Sequence, residues 1–333
     1  MSKQLRYYKD KTILITGAAG FIGSSLVRVL SQIDCTLICC SRNIEKLEII
    51  PPAGAGARVV NREIDIRTPS IWEEILEGVD AVFHFAAQTS SKFANDNPCM
   101  DVDINFVPIA RFIETCQNRN IRPDIIFPGT VTEAGLTQTY PIDEIIQDVP
   151  ITVYDINKLA AEKYVCYYGT QLGGRGVTLR LANVYGPGTK SGRSDRGILN
   201  MMVMRALEGK SLTLYGDGNY VRDYVFIDDV VNAFLVAGAC FDSTNGKHYV
   251  LGSGVAHTIR EMIETVRDLA AQVSGRKVDI DYVPIPTDLS SIEFRHFVAD
   301  TARFSADVGW RPEISLEEGI TRTIEFFLRQ ENR

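Results

Sequence analysis

The stretch KTILITGAAGFIGSSLVRVL, residues 11–30, restricts the fold of this 333-residue chain more than any other. Its apolar run, residues 12–16, has the pattern of a buried strand. Gly17, Gly20 and Gly23 follow as G-x-x-G-x-x-G, and Ile22, Leu26, Val27 and Leu30 then recur at helical spacing. A chain that leaves a strand, turns on glycines and enters a helix offers free backbone N–H groups and a partial positive charge at the helix start. That end suits a phosphate, and glycine lets a pyrophosphate approach the backbone. Glycines alone also occur in ordinary strand-to-helix loops; their placement between strand and helix favours the phosphate reading.

Strand and helix patterns alternate through the first half of the chain. Further strands are expected at 36–40, 58–64, 81–85, 124–127 and 177–181, with helices at 22–32, 70–76, 100–118 and 154–171. Such alternation implies a parallel sheet covered on both faces. Ligands on these sheets bind beyond the carboxyl ends of the strands. The residues there are Ser41-Arg42-Asn43, Asp65-Ile66, Ala86-Ala87-Gln88, Pro128-Gly129-Thr130 and Ala182-Asn183. Past Asn183 the pattern loosens. Gly and Pro cluster at 186–197, as in a long connection that handles substrate. Helices are expected at 198–207, 228–239 with Asp228 as N-cap, 258–273 and 316–329, and strands at 212–215 and 278–283.

The length suits one large or two modest domains. Net charge is −7 and no basic run is present, so nothing calls for nucleic acid. No apolar stretch approaches the roughly 20 residues that span a bilayer. The start, MSKQLRYYKDK, lacks the apolar region of a secretion signal. Seven cysteines without a C-x-x-C fit a reducing cytoplasm, and four scattered histidines give no metal-ligand spacing.

Tyr154-x-x-x-Lys158 opens a helical stretch, and a spacing of four puts both side chains on one face. A tyrosine with pKa near 10 is a poor acid or base at neutral pH, and a neighbouring ammonium brings it toward useful range. Such pairs also occur on plain helix surfaces. Thr130, at the end of the fifth strand, adds a hydroxyl able to join Tyr154 on a carbonyl or alcohol oxygen.

With these motifs the chain resembles the extended short-chain dehydrogenases/reductases, specifically the NAD(P)-dependent nucleotide-sugar epimerase/dehydratase family. The resemblance covers nearly the whole chain. It rests on TGAAGFIG, Asp65-Ile66, HFAAQ, Asn105, the Thr130/Tyr154/Lys158 set, RLANVYGPG and YGDGNYVRDYVFIDDVV. It implies a Rossmann-type doubly wound α/β sheet in residues 1–182, with a return contribution from about 222–252. A smaller α/β nucleotide-sugar-binding domain would occupy 183–333. It further implies that Gly17, Gly20, Phe21, Ile22 and Gly23 hold the dinucleotide, that Asp65 and Ile66 border the adenine, and that Ala86, Ala87 and Gln88 line the path to the nicotinamide. Tyr154 would be the acid/base, Lys158 would hold the nicotinamide ribose, Thr130 would bind the reacting oxygen and Asn105 would kink its helix. Thr132, Asn183 and Arg222 would meet the nucleotide-sugar, Arg222 at the diphosphate.

Departures narrow the chemistry. Family members that remove water at the sugar 4,6 positions carry Asp-Glu directly after the threonine, where this chain has Val131 and Thr132; Glu133 is one residue late. Pro108 stands where many members have Gly. The expectation is hydride transfer at sugar C4, favoured as an NADPH-dependent 4-keto-sugar reductase, with a 4-epimerase retaining NAD as the close alternative. A silent cofactor sensor on the same fold would not need Thr130, Tyr154 and Lys158. NADP is favoured over NAD because Ser41, Arg42 and Asn43 follow the second strand. An NAD-selective site would place an acid there, and Arg42 suits a 2′-phosphate. The resemblance also implies a cytoplasmic homodimer joined through helices 100–118 and 154–171, which carry Phe106, Phe112, Tyr164, Tyr167 and Tyr168.

Overall fold

The computed structural model describes residues 3–48, 56–137, 139–188, 197–287 and 290–331. Its frame is a seven-stranded sheet. In chain order the strands are β1 Thr12–Thr16, β2 Thr36–Ser41, β3 Arg58–Glu63, β4 Ala81–His84, β5 Asp124–Thr130, β6 Arg175–Leu181 and, from late in the chain, Lys247–Leu251. In space the order is Lys247–Leu251, β6, β5, β4, β1, β2, β3, with every pairing parallel. The direction of strand succession reverses at β1, which lies between β2 and β4. The crevice beyond its carboxyl end is where such sheets take ligands.

The continuous apolar pattern of β1 has a simple cause: both faces are covered. Leu14 packs with Trp72, Val82, Phe112 and Phe127 on one side. Ile13 and Ile15 pack with Leu26, Phe83 and Phe234 on the other. All seven cysteines are free; Cys35, Cys39, Cys40 and Cys116 are buried small hydrophobes, and burial pushes the Cys40 thiol up to about 12.

Three expectations need correction. The helix expected at 100–118 is two helices, Pro98–Asn105 and Val107–Arg119, broken at Phe106. Pro108 has no N–H to continue the ladder, so the first helix ends before it. Asp228 is not an N-cap: the helix Ile227–Ala239 starts from Phe226, and Asp228 lies in its first turn. β5 runs on to Thr130, which sets that residue at a strand end. The connection expected at 186–197 lies largely outside the described residues.

The later part of the chain forms three two-stranded pairings: Asn183–Tyr185 with Tyr224–Phe226, Val221–Arg222 with His257–Thr258, and Leu212–Tyr215 with Ile280–Val283. Helices Ile198–Leu207, Ile259–Ser274 and Leu316–Glu331 pack together around them. Thr258 caps the second of these in a reciprocal box with Glu261. Helix Ile227–Ala239 lies instead against the β1–β2 helix, Phe21–Leu30. Among the described residues no helix is long and apolar enough to cross a membrane.

Candidate active site

The glycines after β1 form a cradle that side chains would fill. Gly17 has φ +67°, and a Cβ there would sit 2.7 Å from the backbone N of Ala86. A Cβ on Gly23 would lie 2.3 Å from the Gly17 carbonyl oxygen. Gly20 is the N-cap of helix Phe21–Leu30 and supplies no side-chain cap, so the first-turn N–H groups remain for a ligand. These residues fit a dinucleotide pyrophosphate. Phe21 and Ile22 are half-buried, and the Phe21 ring backs onto Gly188.

Around this cradle the strand ends converge. Ser41 accepts from Asn43 N at 3.2 Å, and Arg42 is exposed. Asp65 takes both its oxygens to Arg67 Nε at 3.0 Å, and those hydrogen bonds hold its carboxyl below the usual range; Ile66 beside it is buried. Thr16 bonds His84 Nδ1 at 2.8 Å and accepts from Ala86 N at 3.2 Å, fixing the loop after β4. Burial and the Lys158 charge drive His84 down to about 3, so it is neutral.

Gln88 does not present its side chain to a ligand. It is buried, and its Nε2 donates to Asp101 Oδ1 at 2.9 Å and to Ser90 O at 2.8 Å. Asn105, also buried, donates to Gln88 O at 2.9 Å and Asp101 Oδ1 at 2.8 Å and accepts from Gln88 N. Asn157 Nδ2 closes the set on Asp101 Oδ2 at 2.8 Å. Asp101 is thus a buried hub that ties the loop carrying Ala86 and Ala87 to the helix carrying Tyr154. Asn105 holds the Gln88 backbone in place through these bonds.

Tyr154 and Lys158 share one face of helix Val153–Gln171, whose N-cap is Thr152. Lys158 is buried, with Nζ 3.7 Å from the centre of the Phe127 ring. Burial pushes its ammonium down to about 8, while Glu133, Asp101 and Glu162 pull the other way. Thr130 ends β5 and caps the short turn Val131–Ala134; its N–H donates to Glu133 Oε1 at 3.0 Å. Its hydroxyl lies 2.8 Å from that of Thr132.

Behind this face Arg180, 2% exposed, gathers three carboxylates: Glu133 at 3.0 Å, Asp148 and Glu162. On the substrate side Arg222 is buried and forms no ion pair with Asp223 or Asp228. It donates to the carbonyls of Val221, Glu293 and Arg295. Asn183 Nδ2 donates to Asp223 O at 3.1 Å. The sequence pattern did not single out Arg295, which is 9% exposed and leaves its Nε without a hydrogen bond; the buried Tyr224 hydroxyl also has none. Among the described residues Glu293 is the acid within 4 Å of both guanidiniums, at 3.9 and 3.7 Å and half exposed. Burial, with Arg295 beside it, pushes Arg222 down to about 10. Excess positive charge with orphaned donors is a site for an anion.

A glycine cradle that fits a dinucleotide pyrophosphate, at the switch point of a parallel sheet, defines a Rossmann-type dinucleotide-binding fold. Residues 13–252 match the NAD dependent epimerase/dehydratase family, and the chain belongs to it. It is 30% identical to a UDP-glucose 4-epimerase of Mycolicibacterium smegmatis over 94% of this chain and 97% of that one. The UDP-glucose 4-epimerase of Thermotoga maritima, solved with UDP-glucose, superposes with TM-score 0.83 at 28% identity, covering 96% and 99% of the two chains. The Thermus thermophilus UDP-glucose 4-epimerase, solved with NAD, gives TM-score 0.77 at 28% identity, covering 95% and 99%. Among the described residues no His, Cys, Asp and Glu cluster could hold a metal ion.

Proposed function

We propose that this chain interconverts the C4 epimers of a nucleoside-diphosphate sugar, UDP-glucose and UDP-galactose being the first pair to test. The observation that carries the reading is the buried pair Arg222 and Arg295, with Arg295 leaving its Nε without a hydrogen bond and its charge reaching Asp155, the residue after Tyr154. Tyr154, as phenolate, takes the O4 proton as the C4–H bond breaks, leaving a 4-keto sugar, and returns that proton when the bond re-forms. A dinucleotide held by Gly17, Gly20 and Gly23 would supply the hydride acceptor and donor for C4, on either face of the ring. Lys158 stabilises the phenolate, and Arg222 with Arg295 hold the diphosphate while the sugar turns. Val131 and Thr132 offer no acid for removing the C6 hydroxyl, which argues against dehydration. The names of the matching relatives favour epimerisation over the reductase that the sequence pointed to first. Incubation with UDP-glucose and, separately, UDP-galactose, with NAD or NADP added, should reach one equilibrium mixture from both sides. No interconversion of any UDP-, dTDP- or GDP-hexose would overturn the reading.

The NADPH-dependent 4-keto-sugar reductase stands second, favoured by Ser41 and Arg42 after β2 with no acid between them and Glu45. In the reductase reading NADP(H) is expected to bind more tightly than NAD(H), whereas an epimerase would retain NAD. Arg42→Ala should weaken only the phosphorylated form, by roughly 1.5–3 kcal/mol for a hydrogen bond to a charged group. Titration of both dinucleotides into both proteins checks this; equal affinities in the wild type remove Arg42 from 2′-phosphate recognition.

A homodimer is part of the same reading. Phe112 and Tyr168, counted in the sequence as surplus apolar residues, pack inside, and Phe106 meets Tyr164 edge-on at 4.9 Å. Ile156, Tyr164 and Tyr167 stay 50%, 41% and 49% exposed on helix Val153–Gln171, with Met100 on the neighbouring helix Pro98–Asn105. Two-fold pairing of this face would cover them. Sedimentation should show a dimer at micromolar concentration, and Tyr167→Glu should shift it to monomer. A wild type sedimenting only as monomer would sink the proposal.

A further inference from the structure

Asp155 follows Tyr154 in the chain, is buried, and faces away from bulk water into two hydroxyls. Thr132 Oγ1 donates to its Oδ1 at 2.5 Å, and Thr152 Oγ1 donates to its Oδ2 at 2.7 Å. Both carboxylate oxygens therefore act as acceptors, the arrangement of an ionised group; burial pushes the carboxyl above its ordinary range, and the Thr132 and Thr152 hydrogen bonds with the Arg295 charge oppose that push. Thr132 has one hydroxyl hydrogen, and Asp155 takes it. The 2.8 Å contact between the Thr132 and Thr130 hydroxyls must then be closed by the hydrogen of Thr130. Thr132 N–H also points at Thr130 Oγ1, at 3.3 Å. What Thr130 has left for a sugar is a lone pair.

The geometry points to Asp155 as a positioning residue that, through Thr132, sets the Thr130 hydroxyl to accept a hydrogen bond from the sugar O4–H rather than to donate one to a C4 carbonyl. This rests on the epimerase reading and deepens it. An epimerase starts and ends with an alcohol, and the 4-keto sugar is transient. A Thr130 preset as acceptor fits both alcohols and gives the ketone no extra hydrogen bond, so the ketone does not accumulate. A reductase, which must capture a ketone, gains nothing from that polarity.

The competing explanation is that Asp155 is only an acid in the first turn of helix Val153–Gln171, where it favours the helix dipole. Thr132 lies outside that helix, so Thr132→Val separates the two. In Asp155→Asn the amide oxygen stays with the Thr152 donor, and the amide NH2 turns to Thr132. The chain then reverses, and Thr130 donates toward the ketone. In Thr132→Val the Thr130 hydrogen is released to the same effect.

The experiment saturates each purified protein with UDP-glucose and reads the steady-state absorbance of reduced nicotinamide. The KM for UDP-glucose, dinucleotide affinity and thermal midpoint are read alongside. Asp155→Asn and Thr132→Val should each raise the reduced fraction roughly 3- to 10-fold, the worth of one hydrogen bond, with dinucleotide affinity unchanged. The double variant should show no more than the larger single effect, because both act through one hydroxyl. An unchanged reduced fraction in Thr132→Val overturns the inference, as does an Asp155→Asn whose only effect is a lower thermal midpoint. Effects that multiply in the double variant also overturn it. A wild type that converts no nucleotide sugar overturns the epimerase reading and this inference together; a wild type that converts UDP-glucose beside unaltered variants overturns this inference alone.

Discussion

Tyr154→Phe is expected to lower turnover of the nucleotide sugar by about 10²- to 10⁴-fold, the usual contribution of a positioned acid/base. The ring keeps its packing and only the proton carrier is lost. Dinucleotide affinity should stay near that of the wild type, because the cradle that fits the pyrophosphate is built from Gly17, Gly20 and Gly23 and does not use the Tyr154 hydroxyl. In the proposed mechanism Lys158 is what lets a tyrosine serve. Its ammonium is buried against Phe127 and restrained by Glu133, Asp101 and Glu162, so its field acts on the next turn of the helix without water to screen it. Steady-state kinetics with UDP-glucose and a dinucleotide titration on the same protein check both halves. Turnover like that of the wild type would remove Tyr154 from the mechanism.

The largest effect on stability is expected at Arg180. Arg180→Met leaves Glu133, Asp148 and Glu162 without their shared cation, and loss of one partner from a buried ionic group costs about 3–5 kcal/mol. The loss should depend on pH. Burial works to raise the Glu162 and Asp148 carboxyls, but the Arg180 hydrogen bonds and charge outweigh it and hold both below their ordinary values. Their stabilisation is therefore present above about pH 4.3, the ordinary glutamate value, and is lost as pH falls through the lowered folded values. Without Arg180 the same burial raises them, so the variant loses stability as pH climbs. Glu133 already behaves this way in the wild type, because burial and the Glu162 charge lift it above the usual range despite Arg180. The deficit in urea denaturation should be widest near neutral pH and shrink toward about pH 4. An equal deficit at both ends would mean that Arg180 contributes packing and not charge.

The local patterns that the sequence carries are those with a short period. The β1 run, the three glycines and the stripe behind them follow from one strand, one turn and one helix. The structure gives Thr12–Thr16 and Phe21–Leu30 close to the spans that spacing predicts. Tyr154 and Lys158 are legible for the same reason: four residues apart on a helix means one face. Alternation of strands and helices carries the parallel sheet, because a crossover helix requires it.

Other features depend on which distant residues meet, and spacing does not encode that. Arg295 lies 73 positions from Arg222, yet its carbonyl accepts from the Arg222 guanidinium and its own guanidinium shares the same buried space. Asp101 becomes a hub only because folding brings Gln88 and Asn157 to it from two other elements. Gln88, expected to line the path to the nicotinamide, has its side chain drawn inward by that same acid. Asp155 looks like an ordinary first-turn acid until β5 and its turn deliver Thr132 to its carboxylate. The sequence by itself determined the sheet, the cradle and the pairing of Tyr154 with Lys158 on one helix face, since these arise from backbone geometry and nearest-turn contacts. Tertiary structure alone decided which charges are buried, what each is paired with and which way the hydroxyls point. Removing a charge from water is tolerable only with a partner in place, and the partners come from remote parts of the chain.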